Sequence, residues 1–203
     1  LENGETIAYD KLILATGSSN FIPPIKNADA LGVFSIKYKT DALALREYAQ
    51  HKKSAVIIGG GVLGLEAADA LQELGLKVTI VEVSDRLMKT QLDSDASHFI
   101  QHILSQKGIE IRTEAKVEEI LTNDQKVVGV KLANETLNTD VVVISAGVRA
   151  NTQLASQANL EVNRGIVVTD QMQTSNPNIY ACGDVAEFEW ISTNLWSPAI
   201  EQA

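Results

Sequence analysis

The sequence predicts an α/β fold: a parallel sheet flanked by helices, with an antiparallel meander inserted into it. Three observations carry this. A β-branched run, Ser54 to Ile58, leads at once into Gly59-Gly60-Gly61-Val62-Leu63-Gly64 and then an Ala/Leu-rich helical stretch ending at Gly75. A second β-branched run, Lys77 to Val83, follows, so 54–82 reads as strand, glycine turn, helix and parallel strand, a crossover of about 30 residues. From Ile109 to Ser145 the helical spacing gives way to short strands with a hairpin turn near Asn123-Asp124.

Taken in order, Asn3-Gly4 is a turn signal, and the apolar run from Ile7 to Leu14 predicts a strand that becomes buried on both faces. Ala15, Thr16 and Gly17 end it tightly. Residues 20–27, with Pro23-Pro24, read as a linker, because proline continues neither a helix nor a ladder. Thr40 is a candidate N-cap for a helix from Asp41 to about His51, with Ala42, Leu45 and Ala49 on one face. A later helix is expected from Asp93 or Ser94 to Lys107, with Phe99, Ile100, Ile103 and Leu104 inward and Gly108 as its stop. Strands are expected at 109–112, 117–121, 127–132 and 141–145, then at 165–169 and 179–182 around the turn Asn176-Pro177-Asn178.

Composition removes several function classes. The 203 residues carry a net charge of −9, against the clustered Lys and Arg that follow a phosphate backbone, so nucleic acid is not expected as a partner. The single cysteine, Cys182, allows no intrachain disulfide, CxxC pair or zinc knuckle, and suggests a reducing cytoplasm. Cys182 reads as a buried structural thiol, not a nucleophile. No apolar run approaches the roughly 20 residues that span a bilayer, so no membrane partner is expected. His98 and His102 are four apart without a third ligand, and no metal site is expected. Trp190 and Trp196 read equally as core residues or a stacking platform.

The glycine turn carries the chemistry. Gly59 allows a sharp turn, Gly61 lets the backbone approach a pyrophosphate, and Gly64 lets helix and strand pack closely while the helix N-terminus faces the anion. Gly60, Val62 and Leu63 complete this binding turn. In its strand–turn–helix context the pattern predicts a Rossmann-like dinucleotide-binding domain. Glu82, about 20 residues on, is placed to accept hydrogen bonds from the adenosine ribose, which favours NAD(H) over NADP(H), although Arg86 and Lys89 are close in sequence. Glu66 is read as lying in the first turn of the helix, where the helix dipole stabilises a carboxylate.

Four stretches, YDKLILATGS, VIIGGGVLGLEAA, VVVISAGVRANT and NIYACGDVAEF, occur in this order. Together with RLMKTQLD, they make the chain resemble the pyridine nucleotide-disulfide oxidoreductases, in the branch of NADH oxidases, rubredoxin reductases and nitrite reductase large subunits. The resemblance implies that the glycine motif serves NADH and that FAD's own glycine motif lies upstream of Leu1. It implies that Asp184 bonds a ribityl hydroxyl of FAD in the parent protein and that Ala15, Thr16 and Gly17 pass near that flavin. It also implies that Gly147 approaches NADH, that Glu66 lies near the nicotinamide, and that the strands ending at Ala15 and Cys182 are neighbours. Ala150 replaces the proline of the family's GxRPN. For Asp184 a structural alternative is capping a helix that starts at Val185.

The resulting expectation is three pieces: 1–32 and 149–203 as incomplete FAD-domain segments, flanking an NAD(H)-binding domain at 33–148. The chain is then expected to be the NADH-binding module of a FAD-dependent oxidoreductase that passes hydride from NADH to flavin and on to an acceptor, with no catalytic residue of its own. Taken alone it would bind a dinucleotide but turn over nothing, lacking the other parts of the parent chain. An open sheet edge is expected to favour self-association. The alternative is a non-catalytic NAD-sensing or assembly module. Which acceptor is served, whether nitrite, oxygen, rubredoxin or a disulfide, lies outside these residues.

Overall fold

The computed structural model describes residues 4–203, so the expected turn at Asn3-Gly4 falls partly outside the described residues. Two compact units make up the chain: the segment ending at Ser19 with Val148–Ala203, and Asn20–Gly147. Residues 20–32, expected with the first segment, pack within the second unit, where Ile25, Ala28 and Ala30 join its core.

The first unit begins with β1 (Leu12–Leu14) and β2 (Ser18–Asn20). The expected strand from Ile7, buried on both faces, is thus only three residues long. Ile7, before the strand, is 65% exposed, and Ile13 within it is 62% exposed. Leu12 and Leu14, in the opposite phase, pack on the unit's core.

The second unit opens with β3 (Val33–Phe34), α1 (Lys39–Ala49), β4 (Ser54–Ile58), α2 (Val62–Glu73), β5 (Lys77–Val81), α3 (Ser94–Gln106) and β6 (Glu110–Arg112). The meander follows as β7 (Val117–Asn123), β8 (Lys126–Leu132) and β9 (Thr136–Asn138), and β10 (Val141–Ile144) closes the unit. The five-stranded sheet has order β3-β10-β4-β5-β6 with every pairing parallel, and β7-β8-β9 is a separate antiparallel sheet. Both faces of its central strands are buried, which is why residues 55–58 of β4 and all four residues of β10 are apolar in succession rather than at alternate positions. Ala55, Ile57, Val141 and Val143 face the core shared with the helices, while Val56, Ile58, Val142 and Ile144 face the core shared with the meander. Each such Val or Ile contributes about 1.5–3 kcal/mol by leaving water.

The meander's hairpin turns at Asp124 and Gln125, with φ of 49° and 62°, the paired left-handed geometry that matches strand twist. α1 starts two residues before the expected Asp41. Its capping group is the Asp41 carboxylate, which accepts N–H bonds from Lys37 at 2.9 Å and Tyr38 at 2.8 Å, and not a hydroxyl of Thr40. α3 is capped by Asp93, whose carboxylate accepts from Ala96 N–H at 2.9 Å. Its inward stripe is Ser97, Ile100 and Leu104; Phe99 and Ile103, expected inside, lie 66% and 39% exposed on the next stripe round the helix.

The chain then returns to the first unit through β11 (Val148–Ala150), α4 (Gln153–Gln157), β12 (Ile166–Val167), β13 (Ile179–Ala181), a 3₁₀ turn at Gly183–Val185, β14 (Ala186–Glu187) and α5 (Trp196–Gln202). β1 pairs in parallel with β13, Leu12 opposite Ile179 and Leu14 opposite Ala181, the adjacency the family resemblance implied. Trp190 and Trp196 are 78% and 81% exposed and belong to no core.

Candidate functional site

The glycine turn leaves the C-terminal end of β4, between β5 on one side and β10 on the other. The chain proceeds from β4 to β5, while β10 is reached only after the meander, so strand order reverses beside this turn. In open α/β sheets that reversal opens a crevice for ligands. Ser145 donates its N–H to the Ile58 carbonyl at 2.8 Å, which sets the segment running from Ser145 to Gly147 against the turn.

Three of the glycines answer to the protein itself, Gly60 because a Cβ there would press on the buried Leu87 side chain. Gly59 has φ of 115°, and a Cβ there would collide with the Ser145 carbonyl. At Gly64 a Cβ would collide with the Gly59 carbonyl, which is the close helix–strand approach the motif predicts. Gly61 differs: its φ of −83° suits any residue, and a Cβ would meet nothing within 4 Å. The fold does not need glycine at this position. It lies at the N-cap of α2, whose first turn has no side-chain cap and presents N–H groups and the positive end of the helix dipole.

Glu82 follows the last residue of β5 and is bound to the turn. Oε2 accepts from Gly60 N–H at 2.6 Å and Oε1 from Ser84 N–H at 2.7 Å. A carboxylate has about four lone-pair sites, so two such bonds leave acceptor capacity for hydroxyl groups. Val62 and Leu63, at the start of α2, are 44% and 54% exposed. Glu66 is exposed but is the fifth residue of α2, beyond the first turn, where the dipole acts more weakly than the sequence reading assumed. Gly147, with φ of 89°, has open space on its Cβ side.

The first unit gathers a second polar cluster. Asp184 lies within the 3₁₀ turn and is not its cap, a place that Cys182 takes; Asp184 Oδ2 accepts from the Ser18 hydroxyl at 2.6 Å. Asn151 ties the end of the β1 segment together: its N–H reaches the Gly17 carbonyl at 2.9 Å and its side-chain amide the Thr16 carbonyl at 2.8 Å. In return the Thr16 hydroxyl donates to the Asn151 carbonyl at 2.8 Å, while Ala15 lies exposed just before. Asp184 also lines a polar cavity of about 890 Å³ with Arg149, Thr152, Asn163 and Arg164. Sequence reasoning missed Ser18 and Asn151, whose roles depend on partners more than 130 positions away. The quoted GVRANT stretch contained Asn151 but gave no sign of its task.

Elsewhere the chemistry is quiet. Cys182 is buried, and the exposed His102 shares a hydrogen bond with Gln106 at 2.9 Å. Among the described residues no group of three or more His, Cys, Asp or Glu could hold a metal ion, and no helix is long and apolar enough to cross a membrane.

Comparison with known proteins gives a consistent set. Residues 1–203 match the family described as pyridine nucleotide-disulphide oxidoreductase. The assimilatory nitrate reductase electron transfer subunit of Bacillus subtilis is 43% identical over 198 residues, covering 97% of this chain and 26% of that protein. A FAD-dependent pyridine nucleotide-disulphide oxidoreductase from Desulfovibrio vulgaris superposes with a TM-score of 0.84 at 35% identity, over 98% of this chain and 53% of its own. The water-forming NADH oxidase of Lactobacillus brevis, solved with NADH, gives 0.88 at 28% identity, over 98% and 45%. The chain thus spans about a quarter of the length of its curated relative from Bacillus subtilis and about half of these solved chains.

Proposed function

The chain belongs to the pyridine nucleotide-disulphide oxidoreductase family, and from that premise we propose that it is the NADH-binding module of a FAD-dependent oxidoreductase. The observation that carries this is Gly61. It is a glycine with ordinary φ and empty space where its side chain would be, at the uncapped start of a helix, which fits a residue kept small for an incoming ligand. The N–H groups opening α2 would receive the pyrophosphate, and the remaining lone pairs of Glu82 would receive the adenosine ribose hydroxyls. Gly147, across the crevice, leaves room for the far half of the dinucleotide.

When bound, the nicotinamide and flavin would supply hydride-transfer chemistry, which belongs to the cofactors. This chain's share is positioning: Glu82 holds the turn closed on Gly60, and the end of β10 holds Ser145 and Gly147 beside it. On the flavin side, Ser18 bonds Asp184, Asn151 bonds Thr16, and Asp184 lines a polar cavity, an arrangement that suits polyhydroxyl and phosphate groups. Preference for NADH over NADPH rests on the Glu82 carboxylate, which would repel a 2′-phosphate.

Titration of the chain with NADH, followed by nicotinamide fluorescence, tests the reading. Wild type should saturate, and Gly61→Val should keep its unfolding midpoint while losing at least tenfold in affinity, about 1.4 kcal/mol. Unchanged NADH affinity in a folded Gly61→Val would overturn it.

A further inference from the structure

The loop after Glu82 is fastened to the glycine turn at two points. Gly60 donates its N–H to Glu82 at 2.6 Å and accepts the N–H of Met88 at 2.9 Å, so residues 83–87 form a bend closed against Gly60. This bend and the two residues beyond it carry two cations, Arg86 and Lys89. Asp85 holds both, Oδ2 with Arg86 Nη1 at 3.1 Å and Oδ1 with Lys89 Nζ at 3.0 Å. Glu82 cannot substitute, since its bonds run to the backbone of Gly60 and Ser84. Arg86 Nε is buried without a hydrogen-bond partner, which leaves Asp85 as the acceptor that anchors the guanidinium side chain.

We infer that Asp85 is a specificity-determining residue: by engaging Arg86 and Lys89 it withholds, beside the adenosine ribose, the two cations that would otherwise receive a 2′-phosphate. The inference rests on the dinucleotide reading above and deepens it. Formal charges on Glu82, Asp85, Arg86 and Lys89 cancel, so loss of Asp85 leaves the bend with a net positive charge. Arg and Lys are the side chains that accept a ribose phosphate in other dinucleotide folds, Arg through its bidentate fork. Both cations are already present here, and what occupies them adds to the discrimination that Glu82 supplies. Their bonds also hold the Asp85 carboxyl below its ordinary range, Lys89 most of all, which keeps it charged at neutral pH.

The test is the ratio of NADPH to NADH affinity in the 203-residue chain. Asp85→Asn should shift that ratio toward NADPH by about fivefold, the scale of one charge near a surface, and the shift should shrink in high salt. Asp85→Glu should keep the wild-type ratio. Adding Lys89→Gln to Asp85→Asn should reverse most of the shift. A ratio unchanged in Asp85→Asn, or equal weakening of both cofactors, would sink the role of Asp85 while leaving the dinucleotide site in place. Failure of wild type to bind either cofactor would instead sink the dinucleotide reading itself. Should Asp85→Asn fail to fold, Asp85→Ser decides: it removes the same charge, so it should show the same shift toward NADPH, and an unchanged ratio would contradict the inference.

Discussion

The Ser18 hydroxyl donates to Asp184 Oδ2 at 2.6 Å across 166 positions of sequence, and Ser18 is only 2% exposed. This bond joins the end of the β1 segment to the turn after β13 within one unit. Hydrogen bonds to a charged acceptor contribute about 1.5–3 kcal/mol. Ser18→Ala should lower stability by about that amount in urea unfolding; a change below about 0.5 kcal/mol would mean the bond contributes nothing measurable.

The glycine turn offers a paired contrast. Gly59→Ala must place a side chain at φ of 115° and against the Ser145 carbonyl, so a loss of about 3 kcal/mol or failure to fold is expected. Gly61→Ala should fold as wild type does. Equal stability of the two variants by thermal melting would show that the turn is softer than its geometry requires.

Asp41 links stability to pH. Backbone N–H bonds from Tyr38 and then Lys37 hold its carboxyl below the ordinary value of 3.8. The folded state therefore favours the charged form. The stabilisation is complete above the unfolded value and is lost as pH falls through the lower folded one. Urea midpoints of wild type and Asp41→Asn should differ by a constant amount above about pH 5 and converge below pH 3.8. A gap that persists to the lowest pH would contradict the assignment.

β1 has β13 as its only partner strand among the described residues, and Ile13 is 62% exposed upon it. An unpaired edge with an apolar side chain templates pairing with another chain. The chain should therefore self-associate in a concentration-dependent way by light scattering, and Ile13→Lys should reduce this. Strictly monomeric behaviour together with slow amide exchange over 11–16 would refute it.

The second unit was legible where structure is written locally. β4, the glycine turn and α2 are contiguous, and Gly59 and Gly64 serve a geometry that their spacing specifies. The start of α1 was displaced because a side chain three residues inside the helix caps it, a task that residue type does not announce. Phe99 and Ile103 were assigned inward on hydrophobicity, yet the inward stripe passes through Ser97, whose hydroxyl bonds the Leu87 carbonyl at 2.8 Å. The short strands β2, β3, β9 and β11 exist through pairing with distant or newly turned chain, and no local pattern marks them. Ser18 and Asn151 escaped for the same reason. The bond from Gly60 to Glu82 was half visible: the acidic residue was expected at the right place, but its commitment to the turn was not.

β4 is lined on one side by Ala55 and Ile57 and on the other by Val56 and Ile58, each pair committed to a different core. Such a strand has no neutral gear. Sliding it by a single position would exchange the two sets and pull the glycine turn out of alignment with Ser145 and Glu82, so evolution can lengthen this protein at the Asp124-Gln125 hairpin tip far more easily than inside the five residues that aim that turn.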